Sequence, residues 1–228
     1  MTIDPNITEF KLRGHTDGFP LEILKCKNLQ NLDLAYNQIG ALPKEIQQLT
    51  NLRVLILNSC GLSELPDELG DLVNLESLSL GSNNLKKIPS CVFKLRKLNG
   101  LGLGSCALSA VPEEIASLPD LYELDLCSNG LSSLPKSFTL LKHLEDLSLS
   151  HNQFTTVPLE VTVLPKLRWL SLQANQITGL APEFYVSSQL EWLDLRENPL
   201  SDNEKQIIRS KSGSRINLWL TEADSYRQ

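Results

Sequence analysis

Residues 29–52 read LQNLDLAYNQIGALPKEIQQLTNL, and the stretch that opens at Leu52 repeats the pattern as LRVLILNSCGLSELPDELGDLVNL. The opening leucine recurs every 23 residues, at Leu29, Leu52, Leu75, Leu98, Leu121, Leu144, Leu167 and Leu190. Each copy reads L-x-x-L-x-L-x-x-(Asn/Cys)-x-(Leu/Ile/Phe). A period of this length that is kept without drift indicates a repeat architecture, in which small units stack on their neighbours.

The two halves of each copy carry different apolar patterns. The alternation in Leu32-Asp33-Leu34 has a period of two, which predicts a short strand with its leucines facing inward. The second half, such as Leu42-Pro43-x-x-Ile46-x-x-Leu49, spaces its apolar residues three to four apart, which predicts a short helical or 3-10 turn. Because such turns are wider than strands, the stack should curve. We therefore predict an α/β solenoid, a horseshoe with a concave parallel sheet and convex turns.

Both ends of the chain depart from the repeat. Residues 1–28 hold a degenerate first copy, whose first half, Ile7-x-x-Phe10-x-Leu12, is slipped by one residue. Residues 201–228 begin with Ser201 and Glu204, the capping-box pattern of a helix N-terminus. Because a stack exposes an apolar cross-section and a strand edge at each end, we expect residues 1–28 and 201–228 to cap eight copies in residues 29–200.

One position after each predicted strand is asparagine in six copies and cysteine in two. Its members are Asn37, Cys60, Asn83, Cys106, Asn129, Asn152, Asn175 and Asn198. An asparagine there can bond backbone groups of its own turn and of the neighbouring copy, which would otherwise be buried without partners. Cysteine can take the position as a small buried residue with a weak donor. We expect these residues to form a structural ladder.

The repeat motif, continued by L-P-x-x-(I/L)-x-x-L, resembles the leucine-rich repeat superfamily over residues 6–200. The second half resembles the 23-residue intracellular type of Ras-pathway scaffolds, plant intracellular proteins and many bacterial members, and NPLSDNEKQII is similar to bacterial C-terminal caps. The resemblance implies a horseshoe that binds proteins or peptides, usually on the concave sheet. It does not imply a particular partner, because fold alone does not fix function.

The variable strand residues divide the predicted concave face into two unlike regions. Copies three and four supply only small residues, Ser77, Ser79, Gly81, Gly100, Gly102 and Gly104. This bare floor either lets a ligand backbone approach closely or is a surface under no functional demand. Copies five to eight supply two tryptophans on neighbouring strands among charged residues. We take the partner-binding residues to be Trp169, Trp192, Tyr122, Glu123, Asp125, Asp146, His151, Arg168 and Asp194.

These residue types favour a particular kind of ligand. Tryptophan, tyrosine and arginine are enriched at binding hot spots. The carboxylates indicate a protein or peptide with basic residues, beside an apolar or cationic group that stacks on the indoles. In the competing interpretation, the two rings pack on each other and on neighbouring side chains and bind nothing.

Composition and charge exclude several other classes of protein. The net charge of −6 argues against nucleic acid and anionic membranes as partners. The N-terminus has no basic region followed by an apolar one, and no apolar run approaches the length of about 18 residues that a membrane helix needs. The five cysteines have no metal-binding or redox spacing, and no cofactor is indicated. We expect a cytoplasmic location, with secretion after removal of a signal as the alternative.

The sequence predicts a monomeric, non-catalytic interaction module. The glycine-rich run of residues 100–104 is not a dinucleotide fingerprint, because the glycine required three places after Gly102 is replaced by Ser105. Ser128, His151 and Asp146 would stand on an open rim, which does not provide the locked geometry of a catalytic triad. Three alternatives stay open. In the first the chain is the recognition arm of a larger effector or ubiquitin-ligase-type enzyme, in the second it is a self-associating structural protein, and in the third it is a secreted receptor-like domain.

Overall fold

The sheet is the organising element of the computed structural model, which describes residues 3–14, 16–182, 184, 190–212, 216–221 and 224. Within these residues ten parallel strands form one sheet, and the order of strands in the sheet is their order in the chain. The strands are β1 (Glu9–Lys11), β2 (Asn31–Asp33), β3 (Val54–Ile56), β4 (Ser77–Ser79), β5 (Gly100–Gly102), β6 (Glu123–Asp125), β7 (Asp146–Ser148), β8 (Trp169–Ser171), β9 (Trp192–Asp194) and β10 (Asn217–Trp219). The predicted leucine-rich repeat solenoid is confirmed.

Short turns return the chain from one strand to the next. The 3-10 turns span Leu21–Lys25, Lys44–Gln48, Asp67–Asp71, Ser90–Lys94, Glu113–Ser117 and Lys136–Leu140, and α1 (Leu159–Thr162) follows β7. A proline precedes each of these seven turns, where its missing N–H costs little because that group would have no partner within the turn. Before β10, the Ser201 side chain caps α2 (Asp202–Ser212), because its Oγ accepts a hydrogen bond from the Glu204 N–H at 3.1 Å. In the described part of the chain, no helix is long and apolar enough to cross a membrane.

The core is one continuous stack of leucines between the sheet and the turns. The middle residue of each strand from β2 to β9, such as Leu55, Leu78 or Leu147, is buried. Complete burial of one such side chain contributes about 1.5–3 kcal/mol. At the N-terminal end Phe10 of β1 pairs with Leu32, which reflects the one-residue slip seen in the sequence.

The asparagine at each ladder position joins its own copy to the copy before it. Asn152 shows the arrangement: its Nδ2 donates to Leu126 O at 3.0 Å and Leu149 O at 3.1 Å, and its Oδ1 accepts from Leu131 N at 3.0 Å. At Cys60 the Sγ donates to Leu34 O at 3.1 Å, the bond equivalent to that from Asn152 to Leu126. A cysteine therefore keeps the donor bond to the preceding copy.

The residue before each ladder position has a left-handed backbone. Positive φ values of 52–61° occur at Tyr36, Ser59, Ser82, Ser105, Ser128, His151, Ala174 and Glu197. This conformation costs a non-glycine residue about 1–2 kcal/mol. It aims the N–H at the next copy, as in the 2.8 Å bond from Ser105 N to Cys127 O. The strain is thus linked to hydrogen bonding between copies.

We predict that Asn152→Ala lowers the free energy of unfolding by about 2–4 kcal/mol, because it leaves several buried backbone groups without a partner. Asn152→Cys should cost clearly less, since a thiol at this position can donate to Leu126 O as Cys60 does to Leu34 O. Equilibrium urea unfolding of both variants measures the difference. Equal losses would show that the donor bond to the preceding copy contributes little.

Candidate functional site

The strand register places the variable residues of the last strands in two rows on the concave face. The first row is Glu123, Asp146, Trp169, Trp192 and Asn217, and the second is Asp125, Ser148, Ser171, Asp194 and Trp219. Successive side chains of a strand point to opposite faces, so the buried leucines between these residues leave both rows facing away from the core. We call this surface of β6–β10 the C-terminal concave face.

The two tryptophans singled out in the sequence are paired on neighbouring strands, Trp169 on β8 and Trp192 on β9. Both are half-buried. Among the described residues, however, the ring that contacts Trp192 belongs to Trp219 of β10, with centroids 5.6 Å apart and planes at 77°. Trp192 thus has an aromatic contact that the sequence interpretation did not include.

Trp219 was not among the predicted binding residues, because residues 216–220, although they alternate like one more strand, were assigned to the C-terminal cap. It follows β9 outside the 23-residue period, so no repeat position assigns it to a row. The alternation of Leu218 with its polar and aromatic neighbours indicates the strand, but it does not say which row of the concave face Trp219 joins.

An ion pair lies beside Trp219. The guanidinium of Arg196 sits 4.8 Å from the centre of the Trp219 ring. It also donates to both carboxylate oxygens of Asp194, from Nε at 2.9 Å and from an Nη at 2.7 Å. Asp194 is only 4% exposed. The structure thus gives Asp194 a different position from the one the sequence suggested, since its carboxylate is below the surface and already paired.

Three carboxylates and an indole surround a cavity of about 320 Å³. Its walls are Glu123, Asp125, Asp146 and Trp169, with Leu124 and Ser148 beneath them. Asp125 accepts a hydrogen bond from Cys127 N at 2.9 Å. Of the ion pairs between described residues, none involves Glu123, Asp125 or Asp146. This acidic cavity therefore presents negative charge without a paired cation from the described chain.

Burial and neighbouring carboxylates raise the pKa of two groups, Asp146 in the wall of the cavity and Tyr122 beside it. Burial raises the pKa of Asp146 above its usual range, the Glu145 carboxylate adds to this, and the Arg168 cation opposes it. The charges of Glu145 and Asp146 raise the pKa of exposed Tyr122. Arg168 itself bonds Glu191 at 2.8 Å and lies 3.6 Å from Glu145. It is thus held beside the face by two carboxylates.

The remaining candidates lie on the rim of the sheet. His151 is exposed at its left-handed position, next to the copy that holds Ser128. Cys127 is half-buried, and burial together with the nearby Asp125 raises its pKa to about 11. At neutral pH the thiol is protonated, so it is a poor nucleophile. In the part of the chain that the structure describes, no group of His, Cys, Asp and Glu side chains could hold a metal ion.

The bare floor is a second cavity, of about 330 Å³, next to the acidic one. It lies over β4 and β5 and is lined there by Ser77, Ser79, Gly100 and Gly102. Tyr36 borders it toward the N-terminus, and Glu123 and Asp125 border it toward the acidic cavity. The two cavities therefore share a wall and form one continuous depression across β4–β8.

Comparisons with known proteins agree with this architecture. Family profiles match residues 44–124, described as a leucine-rich repeat region, and residues 119–177 and 28–49, each described as a leucine-rich repeat. No curated protein sequence matches the chain.

Solved structures with the same fold come from bacteria and plants. The chain is similar to a leucine-rich repeat protein of Leptospira interrogans, with 34% identity and a TM-score of 0.76 over 92% of this chain and 59% of that one. An internalin of Listeria monocytogenes gives 26% identity and a TM-score of 0.74, over 94% and 67% of the two chains. The ectodomain of a membrane receptor kinase of Arabidopsis thaliana, solved with Casparian strip integrity factor 2, gives 26% and 0.69, over 96% and 32%.

The chain thus spans about three fifths of the Leptospira protein and a third of the plant ectodomain. The repeat motif, the single parallel sheet, the matching profiles and the structural neighbours all lead to one assignment: the chain belongs to the leucine-rich repeat family.

Proposed function

We propose that the chain is a non-catalytic module that binds a protein or peptide through its C-terminal concave face. A basic group of the partner would lie in the acidic cavity and an apolar group against the tryptophans. The observation that carries the proposal is the acidic cavity itself, where carboxylates without a cationic partner in the described chain meet the half-exposed Trp169 ring.

The electrostatics of the cavity favour a cation. Asp146 carries a raised pKa chiefly because it is partly desolvated, so its charged form is stabilised less by water than that of an exposed aspartate. A lysine or arginine of the partner would offset this cost. The Trp169 face would add a cation–π contact, which contributes about 0.5–2 kcal/mol.

The structural neighbours support a protein or peptide ligand. One is described as a plant peptide hormone receptor in complex with RGF2, and another as the ectodomain of a plant membrane receptor kinase in complex with Casparian strip integrity factor 2. Because these neighbours are longer than this chain, a second candidate is that the module is the recognition arm of a larger protein. We also propose a monomer in a reducing, cytoplasmic setting, which the five free cysteines support.

Selection of a displayed library of random peptides on the wild-type protein tests the proposal. We expect enrichment of peptides that contain lysine or arginine, and Trp169→Ala should weaken their binding about tenfold, as loss of a hot-spot side chain does. Fluorescence anisotropy with labelled peptides measures the affinity. Leu140→Ala, at a 57%-exposed residue of a convex turn, is the control and should bind normally. Unchanged binding by Trp169→Ala, with the melting temperature also unchanged, would place the site elsewhere.

Asp146→Asn should increase stability while it decreases binding of cationic peptides. A carboxyl whose pKa is raised by folding stabilises the folded state at low pH, and that contribution is lost as the pH rises through the folded pKa. Removing the charge should therefore raise the melting temperature at neutral pH by about 2 °C. The gain should disappear as the pH falls well below about 4, the ordinary pKa of an aspartate, because the wild-type carboxyl is then protonated in both states. A lower melting temperature of Asp146→Asn at neutral pH would show that the charge of Asp146 does not destabilise the folded state.

The floor glycines differ in what a side chain would meet. A Cβ at Gly102 would be 3.6 Å from Ser79 Cα, an ordinary contact, and one at Gly100 would be 3.4 Å from Ser77 Oγ. A Cβ at Gly104 would be 2.7 Å from Cys127 Sγ and 3.0 Å from Asp125 Oδ2. Close packing thus explains why position 104 needs a glycine, but it does not explain the glycines at positions 100 and 102.

We predict that Gly102→Val folds with at least wild-type stability, because valine favours a strand more than glycine does, whereas Gly104→Val loses about 2 kcal/mol or more. Thermal unfolding measures both. The same Gly102→Val protein then decides between the two interpretations of the floor. Weaker binding of the selected peptides means that the ligand backbone crosses the floor, and unchanged binding means that it does not.

A further inference from the structure

We propose that β10 belongs to the binding face and is more than a cap. In this proposal Trp192 and Trp219 form an apolar shelf, and the shelf receives an apolar side chain of an extended partner segment about four residues away from the basic side chain in the acidic cavity. The inference rests on the proposed function and specifies the partner that the face would fit.

The shelf is a pair of rings that is already held in place. Trp192 and Trp219 meet edge to face at 5.6 Å and 77°, and both remain half-buried on the surface. Trp169 instead lines the acidic cavity. The face therefore has two unlike subsites, and a ring that is fixed before binding loses less conformational freedom when a ligand arrives.

Arg196 determines what the shelf accepts. Its guanidinium lies 4.8 Å from the Trp219 centroid and is bound to Asp194, which is 96% removed from solvent by the fold. The chain's own cation thus occupies this ring, and it would repel a basic side chain of the partner. Apolar contact remains available at the shelf. A basic group is directed to the acidic cavity, where the carboxylates have no paired cation among the described residues.

The distance between the subsites sets the spacing in the ligand. Asp146 lies on β7 and Trp219 on β10, three strand steps apart. At about 4.8 Å per step the separation is about 14 Å, which an extended chain covers in about four residues. The partner is therefore a segment that crosses the strands with one lysine or arginine and one apolar residue about four positions apart.

The test uses the peptides selected on the wild-type protein. Sequencing of the enriched pool should show a basic and an apolar residue paired at a spacing of about four. Binding should weaken about tenfold in Trp219→Ala. It should be largely restored in Trp219→Phe, which keeps an aromatic face. Leu140→Ala, on a convex turn away from the concave face, is again the control and should bind normally. Trp219→Phe also provides a folded variant if the alanine protein does not fold.

Arg196→Gln separates positioning from folding. It removes the cation over Trp219 and the bidentate bond to Asp194. We expect a changed near-ultraviolet circular dichroism signal from the two indoles and a loss of the preference for an apolar residue at the shelf. Arg196→Lys, which keeps the charge, should restore part of both. A purely structural role would lower the melting temperature but leave the preference of the folded protein unchanged.

The outcomes distinguish the inference from the proposed function. If Trp169→Ala abolishes binding but Trp219→Ala and Trp219→Phe bind like the wild type, the shelf is wrong and the function stands. If Trp169→Ala also binds normally, the proposed function fails. If the protein binds no peptide but forms dimers that Trp219→Ala dissociates, the shelf contacts a second copy and the peptide proposal is overturned.

Discussion

Each copy of the repeat depends on its neighbours to satisfy backbone groups that it buries. The Asn152 side chain holds carbonyls of its own copy and of the one before it, and the left-handed residue beside it donates to the copy after it. These bonds run along the stack inside an apolar core made mostly of leucine, where an unmade hydrogen bond has no water to replace it. The interaction that holds the copies together therefore also fixes their relative position.

The fixed relative position of the copies creates the concave face. Because the bonds between copies allow one register, equivalent residues form straight rows, and the composition of a row decides what lies beside what. Glu123, Asp146 and Trp169 are distant in the chain, yet they adjoin because each occupies the same place in its strand. The buried leucines of the strands point away from the concave face. The residues of the concave face can therefore vary without loss of the fold, which is why a bare floor and a charged aromatic region can share one sheet.

The sequence allowed much of this arrangement to be predicted, because a fixed period turns chain position into spatial position. The strands, the turns, the slipped first copy and the pairing of Trp169 with Trp192 all follow from the period. The direction in which a side chain points does not follow from the period. Trp192 turns toward Trp219 because a strand outside the period lies there, and Asp194 is buried because Arg196 folds back over it.

The end of the solenoid shows how structural and functional demands meet. A last strand must cover an apolar cross-section, and the inward-facing Leu218 and Leu220 do so at this end. Trp219 between them lies on the concave face and meets Trp192 edge to face, while Asp194 holds the arginine that stacks on Trp219. Burial of Asp194 would be costly without that cation. The pair is therefore best understood as support for the aromatic surface, which makes the final strand part of both the cap and the face we propose for binding.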